Sequence, residues 1–173
     1  AEIFEPETTC LREMTVLCSN NYLGLNTRPE VKLAAEEALK KYGTGMSGSR
    51  FLSGTYDLVV ELERQLAAFE QTESAAVFTS GYQANVGTLS ALMRPKDVAV
   101  IDHLAHASMV DGCRLAQCNL RTFRHNDVNH LEKVLKKCEG LYAGKMIVVD
   151  GVFSMDGDRA PLPDILRLAE QYG

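Results

Sequence analysis

The sequence lacks long apolar runs, basic clusters and a leader-like start, and each absence excludes a class of protein. Its longest apolar runs, Val98–Ile101 and Met146–Val149, are far shorter than the roughly 20 residues that span a bilayer. The 173 residues carry a formal net charge of −5 without a basic block, so nucleic acid is not expected as a partner. The first ten residues lack the basic-then-apolar layout of a signal peptide. We therefore expect a cytoplasmic protein with no membrane segment, its length that of one domain or of part of a larger one.

Cysteine and histidine spacing excludes two further classes, the disulfide-stapled and the zinc-stabilised domain. The cysteines are odd in number and form no C-x-x-C pair, lying at Cys10, Cys18, Cys113, Cys118 and Cys138. The four histidines show no metal-ligand spacing either. Reduced, mostly buried thiols are the expectation, and no metal site is predicted.

Hydrophobic periodicity alternates between strand and helix through most of the chain. Strands are predicted at 75–79, 97–102, 119–123 and 145–153. Helices are predicted between and after them, at 82–93, 106–117, 128–137 and 162–172, and two earlier helices cover 29–42 and the stretch around Leu58, Leu62, Leu66 and Phe69. Repeated β-α units with short connections predict an α/β fold with a three-layer, mostly parallel sheet and right-handed crossovers.

A glycine-rich loop between the first two helices matches the letters of a dinucleotide-binding motif. Gly43, Gly45 and Gly48 satisfy G-x-G-x-x-G, but that motif must follow a strand and open a helix. This one follows a helix, which argues against a nicotinamide-dependent reductase. With Ser49 and Arg50 directly after it, the loop can still bring backbone close to an anionic ligand.

Three polar, glycine-bearing motifs follow predicted strands and should meet at the carboxyl edge of the sheet, where open α/β folds bind ligands. They begin at Thr79, Asp102 and Asp150. In the first, the helix start at Gly81 can hold a phosphate. In the second, the imidazole of His106 can stack on a planar ligand. Each motif alone also fits a simple turn or helix start, and it is their shared position that favours a site.

These segments together resemble the α-oxoamine synthases, pyridoxal-phosphate (PLP) enzymes of the fold-type-I aminotransferase superfamily. The resemblance covers about residues 19–173 and is carried by the segments SNNYLGL, GTGMSGSRFLSGT, FTSGYQANVG, DHLAHASMVDGCRL, FRHNDVNHLE and DGVFSMDGDRAPLPDI. It implies an incomplete large domain of the PLP-dependent transferase fold. Residues 1–55 would form an N-terminal segment with a glycine-rich substrate loop, and residues 56–173 the N-terminal portion of the PLP-binding domain.

The resemblance also implies roles for single residues around the cofactor. Gly81 and Tyr82 would contact the phosphate region of PLP. His106 would stack on the pyridine ring, as the catalytic residue of this chain, and help to hold the substrate carboxylate. Ser154 would lie near the phenolic oxygen of the cofactor, with Asp150 close behind it.

Substrate contacts are implied for a second group, in which His106 is joined by Asn20, Ser49 and Arg50. In the family the segments that carry the last three approach substrate at the interface of a homodimer. The implied reaction is a decarboxylating condensation of a small amino acid with an acyl-CoA or acyl thioester. Phe51 favours the members that form 8-amino-7-oxononanoate from alanine and a pimeloyl thioester. Glycine with acetyl-CoA and serine with a long acyl chain stay open as alternatives.

The family places two further groups beyond these segments, the lysine that binds PLP covalently and the aspartate that pairs with its pyridine nitrogen. None of the eight lysines of this chain lies in the expected motif, and all are interpreted as solvated surface charges. A PLP enzyme needs both groups, so residues 1–173 alone are expected to be inactive. A non-catalytic partner subunit is the alternative, although an inert partner has less need of His106 and Ser154.

Overall fold

The computed structural model describes the backbone of residues 2–5 and 10–173, with side chains from Met14 onward. Two compact units divide the chain, Ala1–Leu66 and Ala67–Gly173. Among the described residues no helix is both long and apolar enough to cross a membrane. The division of function between residues 1–55 and 56–173 stays a prediction.

The first unit contains an antiparallel strand pair, β1 (Glu2–Glu5) with β2 (Cys10–Glu13), and the helix α1 (Pro29–Tyr42). The helix α2 (Asp57–Glu70) begins in this unit and continues into the second. Proline suits the first turn of α1 because that turn needs no N–H donor. Gly43 ends α1 with φ of 80°, a backbone conformation that favours glycine, and its N–H donates to the carbonyl of Leu39 at 2.9 Å. The predicted bounds of α1 are confirmed.

The second unit is a βα fold with a three-stranded parallel sheet. Its elements in chain order are α3 (Gly81–Leu92), β3 (Val98–Asp102), α4 (Ala107–Leu115), β4 (Asn119–Phe123), α5 (Val128–Cys138), β5 (Lys145–Val148) and α6 (Leu162–Tyr172). The strand order is β4-β3-β5, and Val98 is in register with both Asn119 and Lys145. The predicted alternation of parallel strands and helices is confirmed for these elements.

Helices cover both faces of this sheet, which makes three layers. All five residues of β3 are buried, and alternate side chains point to opposite faces. Val98 and Val100 belong to a core cluster that contains residues of α5 and α6. Ala99 and Ile101 belong to a second cluster, built with residues of α3 and α4. The central strand is therefore sandwiched between two helical layers, as a parallel sheet requires.

The predicted strand at 75–79 is wrong. Neither sheet of the described chain includes this segment, although its side chains alternate between half-buried and exposed at Ala75–Phe78. A strand needs a neighbouring strand to complete its backbone ladder. Among the described residues no strand pairs with this segment, and it enters the first polar motif as an irregular stretch.

Candidate functional site

The carboxyl edge of the parallel sheet brings the second and third polar motifs into contact. His106 precedes α4, and its backbone N–H donates to the Asp150 carboxylate at 2.8 Å. The two residues then line one cavity of about 250 Å³ together with Ser154 and the apolar side chains around it. This volume lies below the roughly 300–1,000 Å³ of a complete small-molecule pocket. The described residues thus enclose less space than a complete pocket of this kind.

Hydrogen bonds beneath the His106 ring fix its orientation and its proton. The amide of Asn85 donates to the Ser108 hydroxyl at 2.9 Å, and that hydroxyl lies 2.7 Å from Nδ1 of His106. The Ser108 backbone N–H also points at Nδ1, at 3.2 Å. An Nδ1 that accepts these bonds carries no proton, so the neutral ring holds its proton on Nε2. Ser108 is fully buried while the His106 side chain is exposed, which leaves the ring available to a ligand.

The first polar motif opens α3 and supplies an anion-binding helix start. Ser80 caps the helix, its hydroxyl accepting from the Gln83 backbone N–H at 3.2 Å. The N–H groups of a first helical turn have no acceptor within the helix, and the helix dipole adds positive potential there. A Cβ on Gly81 would meet no atom within 4 Å. Open space therefore lies in front of this helix start, where a phosphate can approach the backbone.

Tyr82 connects this helix start to His106. Its ring centroid lies 6.5 Å from that of His106 with the planes at 80°, an edge-on arrangement. The phenol donates to the carboxylate of Asp111 on α4. That hydrogen bond is the main reason why the pKa of Tyr82 lies above its ordinary value. The bond fixes the ring between the start of α3 and the cavity.

The close approach of α3 and α4 sets the spacing between the phosphate-binding end and the imidazole. A Cβ on Gly112 would lie 2.9 Å from Cβ of Leu89 and 3.1 Å from the carbonyl oxygen of Asn85. Only glycine allows the two helices to pack at this distance without a shift. Gly81, Tyr82 and His106 are thus held by one rigid helix pair.

The predicted substrate residues Asn20, Ser49 and Arg50 lie in the first unit and stay a prediction. Asn20 is exposed, and the Ser49 carbonyl accepts from the backbone N–H groups of the next turn. The guanidinium of Arg50 forms a two-bonded ion pair with Glu63 of α2, at 2.5 and 2.9 Å. Its positive charge is therefore engaged within the first unit.

No lysine is among the residues that line the cavity of His106 and Ser154. Seven of the lysines are exposed, as predicted from the sequence, whereas Lys145 is half-buried at the start of β5, the opposite end from the polar motifs. Within the described part of the chain no cluster of histidine, cysteine and acidic side chains could hold a metal ion. The described site residues thus offer hydrogen-bond donors, an imidazole ring and carboxylates.

Sequence reasoning missed three supporting residues of the site. Asn85 and Ser108 orient the imidazole, and Asp111 orients the phenol. All three lie within the segments FTSGYQANVG and DHLAHASMVDGCRL. Helical spacing alone does not show which polar side chain of such a segment faces the interior. The full burial of Ser108 could not be read from its neighbours in the sequence.

The donor set fits the cofactor that the resemblance implies. A phosphate matches the open start of α3, and a pyridine ring matches the exposed face of His106. Hydroxyl and carboxylate groups for the ring substituents are present in Ser154 and Asp150, on the same cavity wall.

Comparison with known proteins gives the same family. Residues 12–173 match the aminotransferase class I and II family. The chain is 53% identical over 163 residues to the 8-amino-7-oxononanoate synthase of Geobacter sulfurreducens, covering 94% of the chain and 41% of that protein. It is 47% identical over 156 residues to the 8-amino-7-oxononanoate synthase 1 of Bacillus subtilis, and the match covers 90% of this chain and 40% of that protein.

Solved structures add the fold. A serine palmitoyltransferase from S. paucimobilis, with a bound PLP–myriocin aldimine, matches with a TM-score of 0.86 and 39% identity over 90% of this chain and 39% of that one. The 8-amino-7-oxononanoate synthase of Francisella tularensis matches with a TM-score of 0.72 and 29% identity over 87% and 41%.

The chain spans about two fifths of the length of the relatives that it matches. Within that span the three-layer sheet is the one found in fold-type-I PLP-dependent transferases. Family match, sequence identity and fold agree with one another. The chain belongs to the aminotransferase class I and II family, and within it to the α-oxoamine synthases, of which it forms the N-terminal portion.

Proposed function

We propose that this chain forms the cofactor-binding wall of a PLP-dependent acyltransferase. The enzyme would join the α-carbon of a small amino acid to the carbonyl carbon of an acyl thioester, with release of the free thiol and loss of the amino acid's carboxylate as carbon dioxide, which yields an α-amino ketone. The observation that supports this proposal most strongly is the meeting of an open helix start, an exposed imidazole and a carboxylate at one sheet edge.

PLP would supply an electron sink for the bond-breaking at the amino acid's α-carbon. Around it, the backbone N–H groups at the start of α3 would bind the phosphate, with Gly81 admitting the close approach. The His106 imidazole would cover one face of the ring. Its Nε2 proton, set by the Asn85–Ser108 chain, would point outward and donate to the substrate carboxylate.

Ser154 and Asp150, which line the cavity together with His106, would hold the edge of the pyridine ring. Ser154 would donate to the phenolic oxygen, and Asp150 would stay behind it, already bound to the His106 N–H. The hydrogen bond between the His106 backbone and Asp150 makes the positions of these two residues depend on one another. A shift of the Asp150 strand end would displace the start of α4.

The remaining groups of the reaction would come from elsewhere in the protein. Asn20, Ser49 and Arg50 would approach substrate in a cytoplasmic homodimer. The covalent lysine and the aspartate for the pyridine nitrogen would come from residues outside these 173. Residues 1–173 alone would then be inactive.

Alanine and a pimeloyl thioester are the substrates that we propose first, because relatives at 45–53% identity carry the name 8-amino-7-oxononanoate synthase. Serine with a long acyl chain is the second candidate, supported by the TM-score of 0.86 to a serine palmitoyltransferase. Glycine with acetyl-CoA has no such support. Incubating the purified full-length protein with alanine and pimeloyl-CoA, or serine and palmitoyl-CoA, and identifying the product by mass spectrometry separates the two.

The variant His106→Asn tests the proposed site directly. Asparagine caps a helix as well as most residues, so α4 should keep its start while the ring is lost. We expect about tenfold weaker binding of pyridoxal phosphate to the full-length apoprotein, the order of one aromatic stacking contact. Visible circular dichroism during titration measures it.

His103→Asn is the matched control, since His103 is exposed next to the same strand end and lines a different cavity. It should bind the cofactor like the unaltered protein. An unaltered protein that shows no visible band with pyridoxal phosphate would refute the proposed function. A full-length protein that binds PLP yet forms no product with any of these substrate pairs would favour the partner-subunit alternative.

A further inference from the structure

We propose that His125 is a positioning residue of this site. Held as an imidazolium between two carboxylates, it would fix the loop of residues 152–159, which carries Ser154, against the end of the central strand β3. The inference deepens the proposed function and rests on it for the role of Ser154. The loop of residues 152–159 is called the serine loop below.

Both ring nitrogens of His125 face carboxylate oxygens. Nδ1 lies 3.0 Å from Oδ1 of Asp102, and Nε2 lies 2.9 Å from Oδ2 of Asp158. A neutral imidazole has one N–H and would leave one of these contacts without a proton. Only the doubly protonated ring donates to both carboxylates. In a neutral ring with its proton on Nδ1, Nε2 would instead accept from the Asn126 amide, whose Nδ2 lies 3.3 Å away, and the pH dependence of cofactor binding distinguishes these two forms.

The inner end of this bridge is rigid. Asp102 ends β3, and its side chain is 1% exposed. Besides His125, its carboxylate accepts the backbone N–H of Leu104 at 2.8 Å and that of Asn126 at 3.0 Å. A buried carboxylate needs such partners, because an unpaired buried charge is costly. Asp102 therefore gives His125 a fixed anchor in the core of the sheet.

The outer end of the bridge is the serine loop. Phe153 is buried in the main core, and its ring meets His125 edge-on with centroids 4.4 Å apart. The Phe153 backbone exchanges hydrogen bonds with the far side of the loop, donating to the Asp158 carbonyl and accepting from Gly157. Gly157 turns the chain with φ of 76°. His125 thus contacts the loop at two points, one on each side of Ser154.

The surroundings of His125 are consistent with a positive ring. Hydrogen bonding to Asp102 raises the pKa of His125, and Asp158 adds to it, against a smaller opposing effect of burial. The neighbouring cation is directed elsewhere, since the Arg124 guanidinium pairs with Asp127 of the α5 cap. His130 of α5 uses Nδ1 to accept from the Arg124 backbone N–H. Two carboxylates thus contact the His125 ring, together with the amide of Asn126, whose Nδ2 lies 3.3 Å from Nε2 and donates to Asp158 at 2.8 Å. His103 is a further titratable group that lines the same cavity as His125.

This bridge would affect the contact between Ser154 and the cofactor, and would not affect the contacts of the phosphate site and of His106. Ser154 follows Phe153 directly and lines the cavity with His106. The start of α3 and the His106 ring are held by the α3–α4 pair, which contains no residue of the bridge. Loss of the bridge should therefore displace the serine while the phosphate site and the ring face persist.

Two variants in the full-length protein break the outer contact from opposite sides. His125→Asn keeps an amide donor near the position of Nδ1, facing Asp102, but cannot reach Asp158. Asp158→Asn removes the loop carboxylate and leaves the buried pair intact, so it serves if His125→Asn fails to fold. His103→Asn is the control for the histidine, and Asp164→Asn on α6, exposed and remote from the cavity, is the control for the aspartate.

Limited trypsin digestion of the apoprotein measures the loop without any cofactor. Cleavage after Arg159, followed by mass spectrometry relative to cleavage after Lys96 in the exposed turn before β3, should become about tenfold faster in both bridge variants. Titration with pyridoxal phosphate should then show roughly tenfold weaker binding and an altered visible band. The affinity of the unaltered protein for pyridoxal phosphate should fall as pH rises through the His125 pKa. In His125→Asn this pH dependence of the affinity should disappear.

Two results would overturn the inference. One is cleavage after Arg159 at the rate of the control variants. The other is faster cleavage with cofactor affinity, visible band and pH profile unchanged, which would make the bridge structural only. Failure of the unaltered protein to bind PLP would instead refute the proposed function, while the cleavage experiment would still report on the bridge.

Discussion

At the scale of single residues, Ser108 decides what the His106 imidazole can do. The Ser108 hydroxyl accepts from the Asn85 amide and lies beside Nδ1 of His106, so Asn85 orients the hydroxyl toward the ring. In the neutral ring Nδ1 therefore accepts on the buried side, and the proton lies on Nε2. An exposed histidine without such a partner would sample both tautomers. The chemistry of the site thus depends on a buried side chain that touches no ligand.

His125 gives a prediction of stability against pH. Its folded pKa is raised above the ordinary value of 6.5, so the charged ring favours the folded state. Its contribution to the free energy of unfolding is full below about pH 6.5 and is lost as pH rises through the folded pKa. The difference in melting temperature between the unaltered protein and His125→Asn should therefore be largest near pH 6 and shrink toward pH 9.

Differential scanning calorimetry at a series of pH values checks this expectation, with His103→Asn as the reference. Subtracting two variants cancels titration of groups common to both. A difference that is constant with pH, or that grows as pH rises, would contradict the imidazolium bridge.

At the scale of elements, α3 and α4 carry the site as a pair. The start of α3 faces open space, and its flank is in close contact with α4 at Gly112. The same substitution, glycine to alanine, therefore has opposite consequences at two positions of the pair. Helix propensity favours alanine at both, so only the surroundings differ.

Gly81→Ala should leave the fold intact and weaken phosphate binding, because the new methyl group enters the space reserved for the ligand. Gly112→Ala should lower the free energy of unfolding by about 1–3 kcal/mol, the usual cost of overpacking. Urea unfolding and a pyridoxal phosphate titration of both full-length variants measure the two effects. Equal stability losses at the two positions would show that the α3–α4 approach is less close than the structure has it.

The segment 75–79 shows where element-level reasoning fails. Its alternating apolar pattern is typical of a strand, yet it belongs to neither sheet. Period-two patterning reports which side of a segment is apolar. Whether that side meets a hydrogen-bonded neighbour depends on which strands lie beside it, and the pattern carries no such information.

At the scale of the whole second unit, the middle of the hydrophobic core is separate from the site. The core cluster on the α5–α6 face contains Leu131, fully buried, together with Leu135 and Leu168. The cavity lies at the carboxyl edge of the same sheet, and of this cluster only Phe153 reaches it. A cavity made in the middle of the core should therefore cost stability without altering the ligand wall.

Leu131→Ala tests that separation. We expect a loss of about 2–5 kcal/mol in the free energy of unfolding, as for other fully buried leucines. Cofactor affinity at a temperature well below the melting point should change less than twofold. Leu141→Ala, at a leucine that is 70% exposed, is the control and should change neither quantity. A large loss of affinity in Leu131→Ala alone would show that core and site are coupled.

From the sequence alone follow the order of helices and strands from α3 to α6, the parallel sheet, and the three polar motifs that we propose as the site. These follow from periodicity and from glycine, serine and proline at helix ends, which are local properties. The parallel order also implies that the carboxyl ends of strands share one edge. For the same reason the sequence predicts that the motifs of Gly81, His106 and Ser154 lie at this edge, while the roles of the three residues stay a prediction.

Only the tertiary structure decided which polar side chains support these three. The Asp102–His125–Asp158 bridge joins residues up to 56 positions apart in the chain, and the Ser108 hydroxyl meets an amide 23 positions away. The order of strands likewise decided that 75–79 stays outside the sheet. Such choices depend on packing between distant segments, and packing is not encoded in any single window of sequence.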